Sequence, residues 1–116
     1  MIKSYQDLDV WKRSIALVKK IYMITKDFPK EEIYGLTNQM RRCAVSIPSN
    51  IAEGKTRQHV NEYIQFLYIA LGSCAELESQ IIIAKELEYL KESETEDLNG
   101  LDEIGKMLRG LIKNLR

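Results

Sequence analysis

Eight polar side chains at helical spacing are the residues of this sequence whose chemistry most needs an explanation. They form two lines at steps of three and four: Gln39, Arg42, Ser46, Asn50 and Glu53, then Ser73, Glu76 and Gln80. Side chains of these types can hold a divalent ion through oxygen ligands, or they can hydrogen-bond to one another inside a protein. The plain alternative is a solvated helix face.

The choice of residues favours pairing over exposure. Ser and Asn are poor helix formers, so their use in the middle of a helix has little reason on an exposed turn. A buried polar group needs a partner to offset its desolvation. We therefore predict that the eight residues form a structural polar network between two helices, and the solvated face stays as the alternative.

Catalysis and metal binding lack the residues that they require. His59 is the single histidine, and no Glu-x-x-His pair exists to supply the di-iron site of many four-helix bundles. Ser46 and Ser49 have no His or Lys base three or four residues away. Cys43 and Cys74 fall inside apolar patterns, which predicts small buried side chains. We expect no enzymatic activity, cofactor or metal; the alternative is a small metal-binding protein or enzyme that uses the polar line.

Two helices are predicted in the first half of the chain. The first runs from Leu8 to Thr25 with Asp7 as its cap, and the second continues across Pro48 because the apolar phase does not change there. The predicted buried stripes are Leu8, Trp11, Ile15, Val18 and Tyr22 on the first, and Leu36, Met40, Cys43, Ala44, Ile47 and Ile51 on the second. We expect a kink at Pro48 and a C-terminal stop at Gly54.

Two more helices are predicted in the second half. One starts near His59 and spans about 30 residues, with steps of three and four throughout its apolar seam. The other opens with a capping box formed by Ser93 and Glu96. Their predicted buried stripes are Val60, Tyr63, Leu67, Ala70, Cys74, Leu77, Ile81 and Ala84, then Leu98, Leu101, Gly105, Leu108, Ile112 and Leu115. No strand signal or linker interrupts the pattern, which predicts one all-α, up-and-down antiparallel four-helix bundle over residues 1–116.

Composition narrows the functional classes. The chain has 116 residues and 17 basic and 17 acidic side chains, so its net charge is zero. Residues 1–60 carry 11 basic and 6 acidic groups, and residues 61–116 carry the reverse. No signal peptide or run of 18 apolar residues is present, which predicts a cytoplasmic protein with no membrane contact.

The third helix predicts an assembly. Outside its seam it carries apolar residues around most of its circumference, among them Ile64, Tyr68, Ile69, Ile82 and Ile83. A domain of this size cannot cover every face of such a helix. We therefore expect other copies of the chain to bury the remainder.

Three blocks of the sequence resemble a known family. DLDVWKRS, IYGLTNQMRRCAVSIPSNIAEG and FLYIALGSCAELESQ look like the signature blocks of the bacterial proteins encoded in intervening sequences of 23S ribosomal RNA genes, also called S23 ribosomal proteins. The resemblance implies a four-helix bundle that assembles into a homopentameric ring. The chain is also similar to the accessory variability determinant of diversity-generating retroelements, which binds a reverse transcriptase and nucleic acid through basic surfaces, whereas this chain is neutral.

The function expected from these features is that of a non-catalytic, homo-oligomeric scaffold. Its partner is RNA or an RNA-associated protein, and we expect weak binding of RNA or DNA through basic side chains near one end of the second helix. The candidate contacts are Arg41, Arg42, Lys55 and Arg57, with His59 beside them. The alternative is that these charges are ordinary solubilising surface.

Overall fold

Five α-helices and two short 3-10 turns make up residues 4–116, the part of the chain that the computed structural model describes. The helices are α1 (Asp9–Thr25), α2 (Leu36–Lys55), α3 (Val60–Glu86), the six-residue α4 (Glu92–Asp97) and α5 (Gly100–Leu115); the turns are Tyr5–Asp7 and Lys30–Glu32. Strands are absent from residues 4–116. The predicted all-α class is confirmed, with four long helices.

The four long helices enclose one core. α1 packs against α2 and α5, and α3 packs against the same two helices on the other side. Gly54 of α2 lies beside Phe66 of α3, whereas Ser46, two turns earlier in α2, contacts Ser73, two turns later in α3. Contacts that move in opposite directions along two helices show that the helices are antiparallel.

The apolar seams of α3 and α5 are buried as predicted. Leu67, Ala70, Leu77 and Ala84 are completely inaccessible, and the rest of the α3 seam is buried except Val60 in its first turn. The α5 stripe is buried from Leu98 to Ile112. Burial of one large aliphatic side chain contributes about 1.5 to 3 kcal/mol, so these two seams supply much of the stability of the bundle.

The predicted stripe of α1 is wrong at Ile15 and Tyr22, whereas Trp11 and Val18 are half-buried and pack against the core. The core-facing side chains are Val10, Ser14, Leu17, Ile21, Ile24 and Thr25. Leu8 is buried, but Ile15 and Tyr22 are exposed. Ser14 made the true stripe look polar, yet its hydroxyl donates to Trp11 O at 2.7 Å, so it is buried with a partner.

Helix α2 passes through Pro48 without a break. Met40, Cys43, Ala44, Ile47 and Ile51 are buried in one phase on both sides of the proline, as the pattern predicted. The continuous helix places residues 39 to 53 on one rigid element.

Gly54 does not end α2 as predicted. The helix continues to Lys55, and no glycine among residues 4–116 has a positive φ. A Cβ added at Gly54 would lie 2.7 Å from Phe66 Cβ and 3.0 Å from Tyr63 Cδ1. The glycine is therefore needed for the close approach of α2 to α3, not for a left-handed turn.

Both predicted caps are displaced. Asp7 closes the preceding 3-10 turn by accepting from Ser4 N at 3.2 Å, and α1 begins two residues later. The fourth helix starts at Glu92, where Glu94 Oε1 accepts from Lys91 N at 2.9 Å, so Ser93 lies inside it. It then breaks at residues 98–99 before α5 begins at Gly100.

Helix α3 has the composition of a membrane span but the surroundings of a bundle helix. Among residues 4–116 it alone has the length and mean hydropathy, 1.4 over 18 residues, that a span would need. It packs between α2 and α5 and buries one full stripe against them. Its high hydropathy arises because isoleucines also occupy its outer faces.

Candidate functional site: a polar groove between α2 and α3

A groove of about 620 Å³ runs between α2 and α3. We call it the polar groove; its lining is Asn38, Gln39, Arg42, Cys43, Ser46, Ser73, Glu76 and Gln80. Six of these eight residues belong to the two polar lines seen in the sequence. Asn38 and Cys43 were missed, although Cys43 was already placed one turn before Ser46 on the same helix.

Two serine hydroxyls join the helices at the floor of the groove. Ser46 Oγ donates to Cys43 O at 2.7 Å and lies 2.6 Å from Ser73 Oγ. Because a hydroxyl has one proton, the Ser73 hydroxyl must be the donor in this second bond. Asn50 Nδ2 donates to Ser46 O at 2.7 Å, within its own helix. The link between the two lines therefore depends on one pair of serines.

Cys43 is protected from acting as a nucleophile. Its Sγ atom lies 3.1 Å from Ser73 O, across the same contact between helices. Burial, and after it the hydrogen bond with the Glu76 carboxylate, raises the pKa of Cys43 from 9.0 to about 12. Since the thiolate is the reactive form, this cysteine is inert at neutral pH. Its role is structural.

Gln80 is the one groove residue with an unmet hydrogen bond. Its side chain is buried, at 8% exposure, and its Oε1 atom has no partner within residues 4–116. A buried acceptor left unpaired costs about 1 to 3 kcal/mol. Gln80 also lines the polar groove.

Two members of the predicted network, Gln39 and Arg42, make no side-chain hydrogen bond within residues 4–116, and Glu76 meets only the Cys43 thiol. Gln39, Arg42 and Glu76 line the groove with exposed side chains. Glu53 lies beyond the groove on the surface, where its carboxylate is 3.7 Å from Arg57 Nη2. Glu53 lies on the predicted polar line of α2, but its carboxylate pairs with Arg57 and not with a side chain of α3.

The four predicted basic contacts do not form one cluster within a subunit. Arg41 Nε donates to Thr25 Oγ1 at 2.8 Å and faces α1, whereas Arg42 lines the polar groove. Lys55 and Arg57 lie at the other end of α2. At a rise of 1.5 Å per residue, this end is about 20 Å from Arg42. The sequence argument treated residues on one helix as neighbours, which the helical rise does not allow.

The basic group at the α2–α3 turn is held against aromatic rings. Lys55 Nζ lies 5.6 Å from the ring centre of Tyr63, and the guanidinium of Arg57 lies 4.7 Å from that of Phe66. His59, exposed at the first residue before α3, completes this end of the bundle. Here Lys55, Arg57 and His59 share one surface, with Glu53 3.7 Å from Arg57.

Two sets of apolar side chains are left exposed on different sides of the bundle. The α3 border consists of Ile69, Ile83 and Leu87, which are 49 to 52% exposed and share a helical line with Ser73, Glu76 and Gln80. The α1–α2 face is a groove of about 260 Å³ lined by Tyr5, Trp11, Ile15, Val18, Val45, Pro48, Ser49 and Ala52. Both sets are much more apolar than an ordinary solvated helix face.

The comparison with protein families gives one match over nearly the whole chain. Residues 6–110 match the model of the 23S rRNA-intervening sequence protein family. The chain belongs to this family.

A solved structure of an S23 relative supports the same fold. The crystal structure of a protein of unknown function from the S23 ribosomal protein family of Bacteroides thetaiotaomicron VPI-5482 has 27% sequence identity and a TM-score of 0.80. The alignment covers 90% of this chain and 98% of the relative. None of the curated proteins matched.

Two of the three blocks that carry the resemblance to the 23S rRNA-intervening sequence family lie around the polar groove, and the third, residues 7–14, lies at the start of α1. Residues 33–54 cover the first turns of α2, its groove face and the close approach at Gly54. Residues 66–80 supply the opposite wall of the groove on α3. The resemblance thus falls mainly on the contact between α2 and α3.

Within residues 4–116, no three side chains of His, Cys, Asp or Glu come together as a set of metal ligands. Ser46 and Ser73 hydrogen-bond to each other and to a carbonyl, not to a base. What the groove can do is present one carboxylate, one guanidinium and several amides to a partner.

Proposed function

We propose that the protein is a non-catalytic, homo-oligomeric scaffold of the cytoplasm, a pentameric ring that binds RNA or an RNA-associated protein. The observation that carries this proposal is the exposure of large apolar side chains on two different sides of the bundle. Exposed apolar area of this kind marks an interaction site.

The relative position of the two apolar sites favours a ring. The α3 border lies on the α2–α3 side, and the α1–α2 face lies on the neighbouring side, so the two sites share α2. Two different sites on one chain pair head to tail, and such contacts close into a ring when the angle between the sites allows it. Adjacent sides of a four-helix bundle point roughly 90° apart. A closed ring of four needs about 90° and a ring of five about 108°, so a small closed ring fits.

The proline bend of α2 belongs to this proposal. Pro48 has no amide hydrogen, and its ring crowds the carbonyl of Ala44, which favours a bend at this turn. Pro48 also lines the α1–α2 face. A bend there adjusts the shape of that face for the adjacent subunit.

Nucleic-acid binding follows from repetition of a small basic site. Lys55 and Arg57, the second of which lies 3.7 Å from Glu53, supply only a modest positive charge in one subunit, and the chain as a whole is neutral. In a ring this group recurs once per subunit and forms a band of positive charge that attracts phosphates without reading sequence. We expect weak binding, micromolar or poorer, that falls steeply as salt is added.

Light scattering coupled to size exclusion tests the assembly. The wild-type chain is expected as one species of about five subunits at micromolar concentration. The double variant Ile69→Glu/Ile83→Glu places charge on the α3 border and is expected to be a folded monomer. Ile33→Glu is the matched control, because Ile33 is 54% exposed but lies outside both apolar sites. A monomeric wild-type protein would refute the proposal.

A further inference from the structure

The polar groove has acceptors that the subunit itself does not satisfy. Glu76 lies at its centre on α3, seven residues from Ile69 on one side and from Ile83 on the other. No ion pair within residues 4–116 includes it, although Arg42 lines the same groove. One turn further along α3, Gln80 Oε1 is buried without a partner. A cation arriving from outside would satisfy both groups.

An unpaired cation, Lys19, lies beside the apolar α1–α2 face. Lys19 lies four residues after Ile15 and three before Tyr22, which are 43% and 41% exposed, so all three share one line of α1. Its ammonium group has no partner within residues 4–116. Arg41, the other cation near Tyr22, is held by Thr25.

We propose that the polar groove is the binding site for the Lys19 ammonium group of a second copy of the chain, which pairs with Glu76 and donates to Gln80 Oε1. This inference rests on the proposed oligomer and names the contact that orders it. Each group is unpaired within residues 4–116 of one subunit: Glu76 has no ion pair, although Arg42 lines the same groove, and Lys19 has no anion beside it. The charge excess of +5 in the first half of the chain and −5 in the second half has the sign that this pairing needs.

The pairing explains why a polar groove lies between apolar borders. Ile69 and Ile83 supply non-directional apolar contact, which by itself would let two helices slide past each other. A lysine that can reach only one carboxylate fixes the register, because any displaced arrangement leaves the ammonium group and Glu76 desolvated and unpaired. The groove then determines which subunit face is accepted, and the isoleucines supply the affinity.

A charge-swap experiment tests the pairing. Glu76→Lys and Lys19→Glu are each expected to weaken assembly on the order of tenfold or more, since each places like charges opposite one another. The double variant Glu76→Lys/Lys19→Glu restores the pair with reversed sign and is expected to assemble nearly as the wild type does. Sedimentation velocity over a concentration series measures all four proteins.

Two controls make the result specific. Glu78→Lys has the same charge change two residues away, on the α5 side of α3, and is expected to leave assembly unchanged. Lys12→Glu combined with Glu76→Lys tests the neighbouring lysine. Circular dichroism checks that each variant folds, which is expected because Glu76, Glu78, Lys12 and Lys19 are exposed.

The outcomes separate the two proposals. If the wild-type protein is monomeric, the oligomer and this inference both fail. If the wild type assembles and Glu76→Lys assembles equally well, only the groove assignment fails. Rescue of Glu76→Lys by Lys12→Glu in place of Lys19→Glu would overturn the choice of Lys19. Rescue by Lys19→Glu alone supports the pairing.

Discussion

The two grooves that α2 shares with its neighbours have opposite chemistry. Toward α3 the lining is polar, with apolar side chains only at its borders, whereas toward α1 it is apolar, with lysines beside it. The carboxylate of Glu76 on the first side and the ammonium group of Lys19 beside the second carry opposite charges, and large apolar side chains are exposed on both sides. The difference teaches that exposure alone does not define an interface; complementary chemistry on two sides predicts a head-to-tail contact.

The largest effect is expected from breaking the close approach that forms the polar groove. Gly54→Ala would place a Cβ 2.7 Å from Phe66 Cβ and push α2 away from α3. Such overpacking costs about 1 to 3 kcal/mol, and we expect the upper end because Tyr63 confines the same site. Urea unfolding measures the change.

Gly110→Ala is the matched control for this prediction. Nothing lies within 4 Å of the Cβ that it would add, so we expect stabilisation of about 0.5 to 1 kcal/mol from helix propensity. Equal effects of the two substitutions would show that Gly54 is not needed for packing.

A smaller loss is expected from removing the serine pair on the floor of the polar groove. Ser73→Ala leaves Ser46 bonded to Cys43 O but deletes the hydrogen bond between the Ser46 and Ser73 hydroxyls. This loss costs about 1 kcal/mol. Ser49→Ala, in the exposed apolar groove, is expected to change stability by less than about 0.5 kcal/mol. Thermal unfolding of both variants measures these changes. A melting temperature of Ser73→Ala equal to that of the wild type would contradict the prediction.

The polar groove was more predictable from sequence than the apolar one. Ser46 and Ser73 stood out because serine is unfavourable inside a helix, and that signal does not depend on tertiary structure. Ile15 and Tyr22 of α1 were predicted to be buried because Ser14 interrupts the apolar pattern of the residues that are buried. A short hydroxyl can be buried by bonding to its own helix, and periodicity alone does not detect this.

Side-chain partners beyond one helical turn were not predictable. Arg41 and Arg42 are adjacent in sequence but point to different neighbours, α1 and the groove, so counting charges along the chain joined groups that the fold separates. Glu53 was placed in the network by its register, but the choice between α3 and Arg57 depends on the α2–α3 turn. The fold class needed only periodicity, which spans the whole chain.

A further prediction concerns the basic end of the bundle, away from both grooves. Arg57→Glu is expected to lower RNA affinity several-fold and to make its salt dependence shallower, because it removes a phosphate contact that recurs around the ring. Arg41→Glu is a poor test, since it breaks the bond to Thr25. Fluorescence anisotropy at low salt is the measurement, with Lys113→Glu on α5 as a charge-matched control. Absence of wild-type binding at about 50 mM salt would exclude nucleic acid and leave a protein partner.

The last comparison is between the cysteine in the polar groove, Cys43, and the cysteine outside it, Cys74. Burial first, then the hydrogen bond with Glu76, raises the pKa of Cys43 from 9.0 to about 12, and burial raises the pKa of Cys74 to about 11. Above pH 9 the unfolded chain loses these protons while the folded chain keeps them, so ionisation favours unfolding. The stabilisation of the folded chain by its protonated thiols is fully present below pH 9. It is lost as the pH rises toward 11 and 12, by at most about 1.4 kcal/mol per pH unit for each thiol.

We expect the melting temperature of Cys43→Ser to fall less steeply than that of the wild type between pH 9 and 10.5, and Cys74→Ser to show a similar change over this range. Parallel profiles for all three proteins would show that the thiol of Cys43 ionises as readily in the folded groove as in the unfolded chain.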